Sequence, residues 1–130
     1  MYTMKDVCAE TGMTYEGLKF YCREGLIPNV RRDKNNRRVF DEHDLAWTKS
    51  LVCLKNCEMS IAEMKEYLAL CLAGASTIPA RKIMLERKQA ELIKKIAALE
   101  KAVAYIDWKQ NFYDEVLSGE IEYVSNLTAK

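Results

Sequence analysis

The segment that decides the fold spans residues 14–40 and reads TYEGLKFYCREGLIPNVRRDKNNRRVF. It begins with Thr14, a residue type that caps helix N-termini, and continues as a helical stretch with one apolar and one polar face. Gly25 ends this helix. Arginine-rich stretches then flank Asn35 and Asn36, a pair that favours a turn between two short strands. The segment therefore predicts a helix followed by a β-hairpin.

A shorter helix is predicted immediately before this segment. Thr3 is its expected N-cap, with Asp6 at the third helical position of a capping box, and Gly12 ends it. Two helices joined by a short turn that contains glycine match the helix-turn-helix pattern. On the second helix, three side chains recur every four residues and share one polar face: Tyr15, Lys19 and Arg23.

The positive charge of the chain is concentrated in the predicted hairpin. The whole chain has a net charge of +1, whereas residues 31–38 alone carry +4. A local positive field beside a helix-turn-helix favours contact with nucleic-acid phosphates, and a solvated loop of mixed charge is the alternative. We expect the DNA contacts to come from Thr14, Tyr15, Lys19, Tyr21, Arg23, Arg31, Arg32, Asn35, Arg37 and Arg38.

Different roles are expected within this set. Tyr15 and Lys19 are placed to reach base edges and phosphates, and Arg23 and Tyr21 the DNA backbone, with the hairpin arginines on flanking phosphates. For Tyr21 a role in the hydrophobic core is an open alternative.

Two further helices complete a predicted domain of residues 1–72. Asp41 caps the third helix, and Ser60 caps the fourth with Glu63 in its capping box. Residues 73–76 (AGAS) are small and form a junction. The expected fold class is therefore mainly α, with a winged helix-turn-helix at the N-terminal end.

Residues 77–112 predict one long helix, with Thr77 as its N-cap and Pro79 in its first turn. Ile78 starts an apolar repeat at seven-residue spacing, which is the pattern of a coiled coil. A lone helix cannot bury such a stripe, so we expect a homodimer, with folding back onto the first domain as the alternative. The dimerisation residues are Leu85, Leu92, Ile96, Leu99, Val103 and Ile106. The aromatic and apolar residues from Trp108 to Leu127 are too many for a free tail, so residues 113–130 predict a short final helix or packed tail.

Several classes of protein are disfavoured by the sequence. The longest apolar run, residues 68–75, is too short to span a membrane. Five cysteines without a disulfide pattern fit reduced thiols, so we expect a cytoplasmic protein. No carboxylate pair, nucleophile with its base, or phosphate-binding loop indicates an enzyme. We expect no cofactor and no metal.

Three stretches in order resemble the MerR family of transcriptional regulators: MYTMKDVCAETGMTYEGLKFYCREGLIP, RRDKNNRRVFDEHDL and LKNCEMSIAEMKEYL. The resemblance implies a winged helix-turn-helix followed by a long antiparallel coiled-coil dimerisation helix. It implies a homodimer that bends and untwists double-stranded promoter DNA for RNA polymerase, and an effector that converts repression to activation. Arg38 matches the wing arginine of the family, whereas Arg37 replaces its usual tyrosine and Cys22 its usual glutamate.

Cys53 and the residues around it resemble the small aldehyde- and thiol-responsive, AdhR/NmlR-like subgroup, which implies a role in stress response. In that subgroup a cysteine at this position is the proposed reactive residue. Lys49 and Lys55 favour its thiolate, whereas the nearby helix C-terminus disfavours it. The alternatives are a packing role for Cys53, an effector-independent repressor or architectural factor, and a helical adaptor without a DNA role.

Overall fold

A computed structural model describes residues 1–127, and within that range the protein is mainly helical. Its elements in chain order are α1 (Met4–Thr11), α2 (Tyr15–Arg23), β1 (Arg31–Arg32), β2 (Arg38–Val39), α3 (Glu42–Asn56), α4 (Ile61–Leu72), a 3₁₀ turn (Ala75–Thr77) and α5 (Ile78–Leu117). The chain divides into two compact units, Met1–Gln89 and the part from Ala90 onward. The first unit contains the helix-turn-helix, the hairpin, α3, α4 and the first turns of α5.

The predicted caps define where the helices begin. At α1 the Thr3 hydroxyl oxygen accepts from the Asp6 N–H at 3.1 Å, and the Asp6 carboxylate accepts from the Thr3 N–H at 2.9 Å. The same reciprocal box starts α3 at Asp41 and α4 at Ser60. These boxes satisfy N–H groups that a helix N-terminus leaves without partners. The predicted caps of α1, α3 and α4 are confirmed.

The hydrophobic core lies where α1, α2, α3 and α4 meet the hairpin. Val7, Leu18 and Phe40 are fully buried, one from each of three successive parts of the chain. Gly12 has φ of 75° at the turn between α1 and α2, a left-handed conformation that glycine adopts without strain. This turn brings the apolar faces of α1 and α2 together and leaves the polar face of α2 outside.

The wing, which we define as residues 31–39, is an antiparallel hairpin in which Arg31 pairs with Val39 and Arg32 with Arg38. Asn36 has φ of 60° in its turn, as the sequence predicted for this asparagine pair.

The connection from α4 to α5 differs from the prediction. Thr77 is not an N-cap; it lies in the 3₁₀ turn, and its hydroxyl donates to the carbonyl oxygens of Leu70 and Gly74. The Arg81 guanidinium donates to the same Gly74 carbonyl at 2.7 Å and to the Thr77 hydroxyl at 3.0 Å. A threonine whose hydroxyl can reach the end of α4 closes the junction instead of starting α5.

The long helix also ends later than predicted. α5 runs to Leu117 and not to residue 112, because no glycine or proline lies between Pro79 and Gly119, which has φ of 87°. The expected short final helix is wrong for residues 118–127, which form turns and irregular backbone. The rest of that predicted segment, residues 128–130, lies outside the described residues. In residues 1–127 no helix combines the length and hydropathy that crossing a bilayer requires.

Candidate nucleic-acid interface

The outer face of α2 carries the side chains that the sequence placed there. Tyr15 is 53% exposed, Arg23 is exposed, and Lys19 between them is half-buried. A tyrosine, a lysine and an arginine on one exposed helix face supply donors that suit phosphate oxygens and base edges. Phe20 is also partly exposed and adds an apolar surface beside them.

Gly17 has a local reason for its place inside α2. The Thr14 hydroxyl oxygen accepts from the Gly17 N–H at 3.0 Å, which caps the helix. A Cβ on residue 17 would lie 3.0 Å from that same oxygen, closer than ordinary contact. The absence of a side chain therefore leaves room for the cap that starts α2, and offsets the low helix propensity of glycine.

Asp33, the one acidic residue of the wing, organises the wing turn. Its Oδ1 accepts from the N–H groups of Asn35 at 2.9 Å and Arg37 at 3.0 Å, and its backbone N–H donates to the Arg37 carbonyl. Arg32 adds a bond from Nη1 to the Asn36 carbonyl at 2.9 Å. The Asp33 carboxylate is thus bonded to N–H groups of the turn, while the side chains of Lys34 and Arg37 are exposed to solvent.

A cleft of about 500 Å³ lies between the wing, the start of α2 and the start of α1. It brings Tyr15 together with three wing arginines: Arg32, Arg37 and Arg38. Lys5 and Thr3 of the α1 region line the same cleft, and so does Asn36. None of these three residues is among the DNA contacts expected from the sequence. Lys5 is exposed, but no feature of the neighbouring sequence indicates that the wing lies beside it.

Tyr21 does not lie on the DNA-facing surface. It is 5% exposed and belongs to the hydrophobic core, and this burial raises the pKa of its hydroxyl. The expected backbone contact from Tyr21 is therefore replaced by the core role that the sequence left open. The physical reason is its position, three residues after the fully buried Leu18 on the inner face of α2.

The remaining wing residues are placed differently from one another. Arg31 forms an exposed ion pair with Asp41 at 3.8 Å, an interaction that contributes little stability. Asn35 is exposed, whereas Arg38 is half-buried close to the Cys22 thiol. Burial raises the pKa of Cys22, and the charges of Arg38 and Arg32 oppose that rise. Cys22 thus lies within the electrostatic field of these two wing arginines.

Cys53 differs from the other four cysteines in being exposed. Burial raises the pKa of the Cys8 thiol, as it does for Cys22. The Lys49 ammonium, expected near Cys53, lies 3.7 Å from the Glu10 carboxylate. The Cys53 carbonyl accepts from the Cys57 N–H at 3.1 Å, which ends α3.

The heptad residues of α5 are largely open to solvent in the single chain. Leu99 and Val103 are 66% exposed, and Ile96 and Ile106 are each 55% exposed. Leu85 is 40% exposed and Leu92 is half-buried. An apolar stripe of this length is unusual on a monomer surface.

Two helices joined by a glycine turn, with a basic hairpin beside the second helix, define a winged helix-turn-helix protein, a class that binds double-stranded DNA. The sequence profile described as MerR HTH family regulatory protein matches residues 2–71. The chain is 33% identical over 114 residues to a helix-turn-helix transcriptional regulator of Haemophilus influenzae, which is 88% of this chain and 84% of that protein. It is 36% identical over 88 residues to the regulator AdhR of Bacillus subtilis, which is 68% of this chain and 63% of AdhR.

Solved structures agree with these sequence relationships. The structure of HiNmlR, described as a MerR family regulator lacking the sensor domain and bound to promoter DNA, superposes with a TM-score of 0.75 at 32% identity, covering 90% of this chain and 93% of that one. A MerR family regulator from Bacillus thuringiensis gives a TM-score of 0.73 at 28% identity, over 86% and 98% of the two chains. The chain belongs to the MerR family of DNA-binding transcriptional regulators, in the small subgroup that resembles AdhR and NmlR.

Proposed function

We propose that this regulator acts in the cytoplasm as a homodimer, closed by an antiparallel coiled coil of two α5 helices, which bends and untwists promoter DNA. The observation that carries the proposal is the exposed heptad stripe of α5 on a chain whose DNA-binding domain carries a basic wing. RNA polymerase is the partner at the promoter.

Pairing of two α5 helices supplies the burial that the stripe lacks. Four of its residues, Ile96, Leu99, Val103 and Ile106, are more than half exposed. Burying apolar surface contributes roughly 25 cal/mol per Å², so a second copy of the same stripe stabilises both helices. An antiparallel pair places one DNA-binding domain at each end of the coiled coil.

Two DNA-binding domains held at a fixed separation can deform the DNA between them. In each domain the wing arginines and the outer face of α2 contact the DNA backbone, so the dimer contacts it at two places. These contacts offset the elastic energy of bending, which is of order 1–6 kcal/mol. A single domain contacts the duplex at one place and therefore cannot bend the DNA between two fixed contacts. Dimer formation is therefore required for distortion, and the α2 and wing contacts are required for binding.

The test uses a duplex selected from a random pool by the full-length protein, labelled with a fluorophore at each end. Energy transfer between the ends is expected to rise on binding, because bending shortens their separation. Promoter distortion would be contradicted if the dimer bound tightly but changed neither the energy transfer nor the chemical cleavage of the DNA at the centre of the site. That outcome would favour a repressor that binds without deforming its operator.

We propose further that Cys53 is the sensing thiol for an electrophile such as an aldehyde. It is exposed, whereas the other four cysteines are half-buried, and access is required for reaction with a solute. The thiolate sulfur bonds to the carbonyl carbon, the C=O π pair moves to oxygen, and that oxygen takes a proton from water. The product is a hemithioacetal, and no oxidant is consumed.

Replacement of this cysteine tests the sensor. Formaldehyde is expected to change transcription from the selected promoter in wild type and in the matched control Cys71→Ser, and to leave Cys53→Ser unchanged. Brief alkylation of the treated protein with iodoacetamide, read by mass spectrometry, locates the cysteine whose thiol formaldehyde protects. An equal response of Cys53→Ser and wild type would exclude Cys53, and no response in either would favour an effector-independent regulator.

A further inference from the structure

Lys88 is the buried charged residue of α5. It is 8% exposed, whereas the neighbouring residues on both sides, Arg87 and Gln89, are exposed. A buried ammonium is stable only when it is paired and hydrogen-bonded. Its partners in the structure come from the end of the α3–α4 turn and from the first turn of α4.

The Glu63 carboxylate holds Lys88 at the start of α4. Lys88 Nζ lies 3.1 Å from both Oε1 and Oε2 of Glu63. Oε1 also accepts from the Ser60 N–H at 2.9 Å, because Glu63 belongs to the capping box of α4. The Ser60 bond first, and Lys88 next, hold the pKa of Glu63 below its ordinary value. One carboxylate therefore starts α4 and fixes α5 to it.

The second contact of Lys88 is with the turn that follows Cys53. Lys88 Nζ lies 3.5 Å from the Glu58 carbonyl oxygen. Glu58 has φ of 62°, an uncommon backbone conformation for a residue other than glycine, and its N–H donates to the Lys55 carbonyl at 2.9 Å. The adjacent Cys57 N–H donates to the Cys53 carbonyl. A short path of backbone bonds thus leads from Cys53 to the ammonium of Lys88.

We propose that Lys88 couples the turn after Cys53 to the dimer helix, so that an adduct on Cys53 shifts the first turns of α5 against α4 and thereby changes the DNA distortion. This inference rests on the proposed function, in which Cys53 is the sensing thiol. An adduct on the last turns of α3 disturbs the carbonyls that close the turn, and Glu58 moves with them. Lys88 transmits that movement because it contacts both the turn and the cap of α4.

The test compares Lys88→Met, which keeps an unbranched apolar stem but lacks the ammonium, with Lys88→Arg and with Lys82→Met at an exposed position of α5. All are measured on the doubly labelled operator with and without formaldehyde. Lys88→Met is expected to bind the operator as wild type does, because α2 and the wing are unchanged. Its formaldehyde-dependent change in distortion is expected to fall about tenfold, a usual size for coupling between two sites. Lys88→Arg is expected to retain part of the response and Lys82→Met all of it.

Glu63→Gln provides a second variant in case Lys88→Met does not fold. A glutamine keeps the oxygen that accepts from Ser60, so α4 remains capped, while the ion pair with Lys88 is lost. We expect the same loss of response as in Lys88→Met. A wild-type response in either folded variant would overturn the inference.

The same measurements separate a failure of this inference from a failure of Cys53 sensing. If wild type itself does not respond to formaldehyde, the proposed role of Cys53 is wrong. The coupling is then decided on the untreated proteins: Lys88→Met is expected to distort the operator to a different extent from wild type and Lys82→Met. Equal distortion by all three proteins would exclude a positioning role for Lys88.

Discussion

Tyr2 and Phe40 exchange two backbone hydrogen bonds, from the Tyr2 N–H to the Phe40 carbonyl at 2.7 Å and from the Phe40 N–H to the Tyr2 carbonyl at 2.9 Å. The Tyr2 hydroxyl also donates to Glu42 Oε1 at 2.6 Å. The residue before the cap of α1 is thereby tied to the end of the wing and the start of α3. Two short strands alone would hold the wing weakly, so this bridge sets its position relative to the helix-turn-helix.

Phe40→Ala is expected to destabilise the protein strongly. Phe40 is fully buried, and truncating such a ring leaves a cavity that costs about 3–5 kcal/mol. Urea unfolding followed by circular dichroism measures the loss. The control Tyr15→Ala, at a residue that is 53% exposed, is expected to change stability by no more than about 0.5 kcal/mol. Equal stabilities for the two variants would contradict the core position of Phe40.

Arg37→Ala and Lys19→Ala are expected to weaken DNA binding through lost phosphate contacts. Each lost contact lowers the slope of log K against log salt by about 0.9, and the loss is similar for operator and unrelated DNA. Titration by fluorescence anisotropy at several salt concentrations gives the slope. Arg87→Ala removes the same charge from an exposed position on α5 and is the matched control. A slope in Arg37→Ala equal to that of the control would exclude a contact.

Lys5→Ala is expected to weaken DNA binding as well, although nothing local in the sequence marks this residue. Lys5 lines the cleft that also contains Arg37 and Arg38, so its ammonium adds to the field at a bound phosphate. The salt slope is expected to fall by about 0.9, as for a wing arginine. Lys55→Ala, in the last turn of α3, is the control of equal charge. If both lysine variants bind alike, the cleft does not hold a phosphate.

Leu99→Glu is expected to separate the homodimer. Leu99 is 66% exposed in the single chain, so the substitution leaves the first unit intact and places two carboxylates in the paired stripe. Sedimentation is expected to give the chain mass of 15.0 kDa, against twice that mass for wild type. Lys101→Glu places a carboxylate on the same helix outside the heptad stripe and is expected to remain dimeric. A dimeric Leu99→Glu would point to a different interface.

Acid is expected to destabilise the fold through the capping carboxylates. Backbone hydrogen bonds at the caps hold the pKa values of Asp6, Asp41 and Glu63 below the ordinary values of 3.8 for Asp and 4.5 for Glu. Because the folded pKa is the lower one, their stabilisation is present above the ordinary values and is lost as pH falls through the folded ones. Urea unfolding from neutral pH down to about pH 3 measures the loss.

The variant Asp41→Asn with Glu63→Gln tests the cause of the acid effect. Both amides keep an oxygen that accepts the capping N–H, but neither titrates. The free energy of unfolding is expected to fall less steeply with acid in this variant than in wild type. Identical pH profiles would assign the acid sensitivity to other carboxylates.

Much of the fold could be predicted because its signals are local. Thr3 with Asp6 and Ser60 with Glu63 form boxes between residues three apart, so the pattern of types is enough to identify them. The asparagine turn of the wing depends only on its own backbone. The end of α5 is less local: the aromatic residues near position 112 suggest a separate element, whereas the helix continues to Leu117 because no glycine or proline lies between Pro79 and Gly119.

The sequence by itself determined the order of the helices, the basic wing, the polar face of α2 and the heptad stripe, since each depends on neighbours within one or two turns. Only the tertiary structure decided which of these residues meet. It buried Tyr21 in the core, brought Lys5 to the wing arginines, and placed Lys88 on Glu63, 25 residues earlier in the chain. Those contacts follow from the packing of whole helices, which no short stretch of sequence encodes.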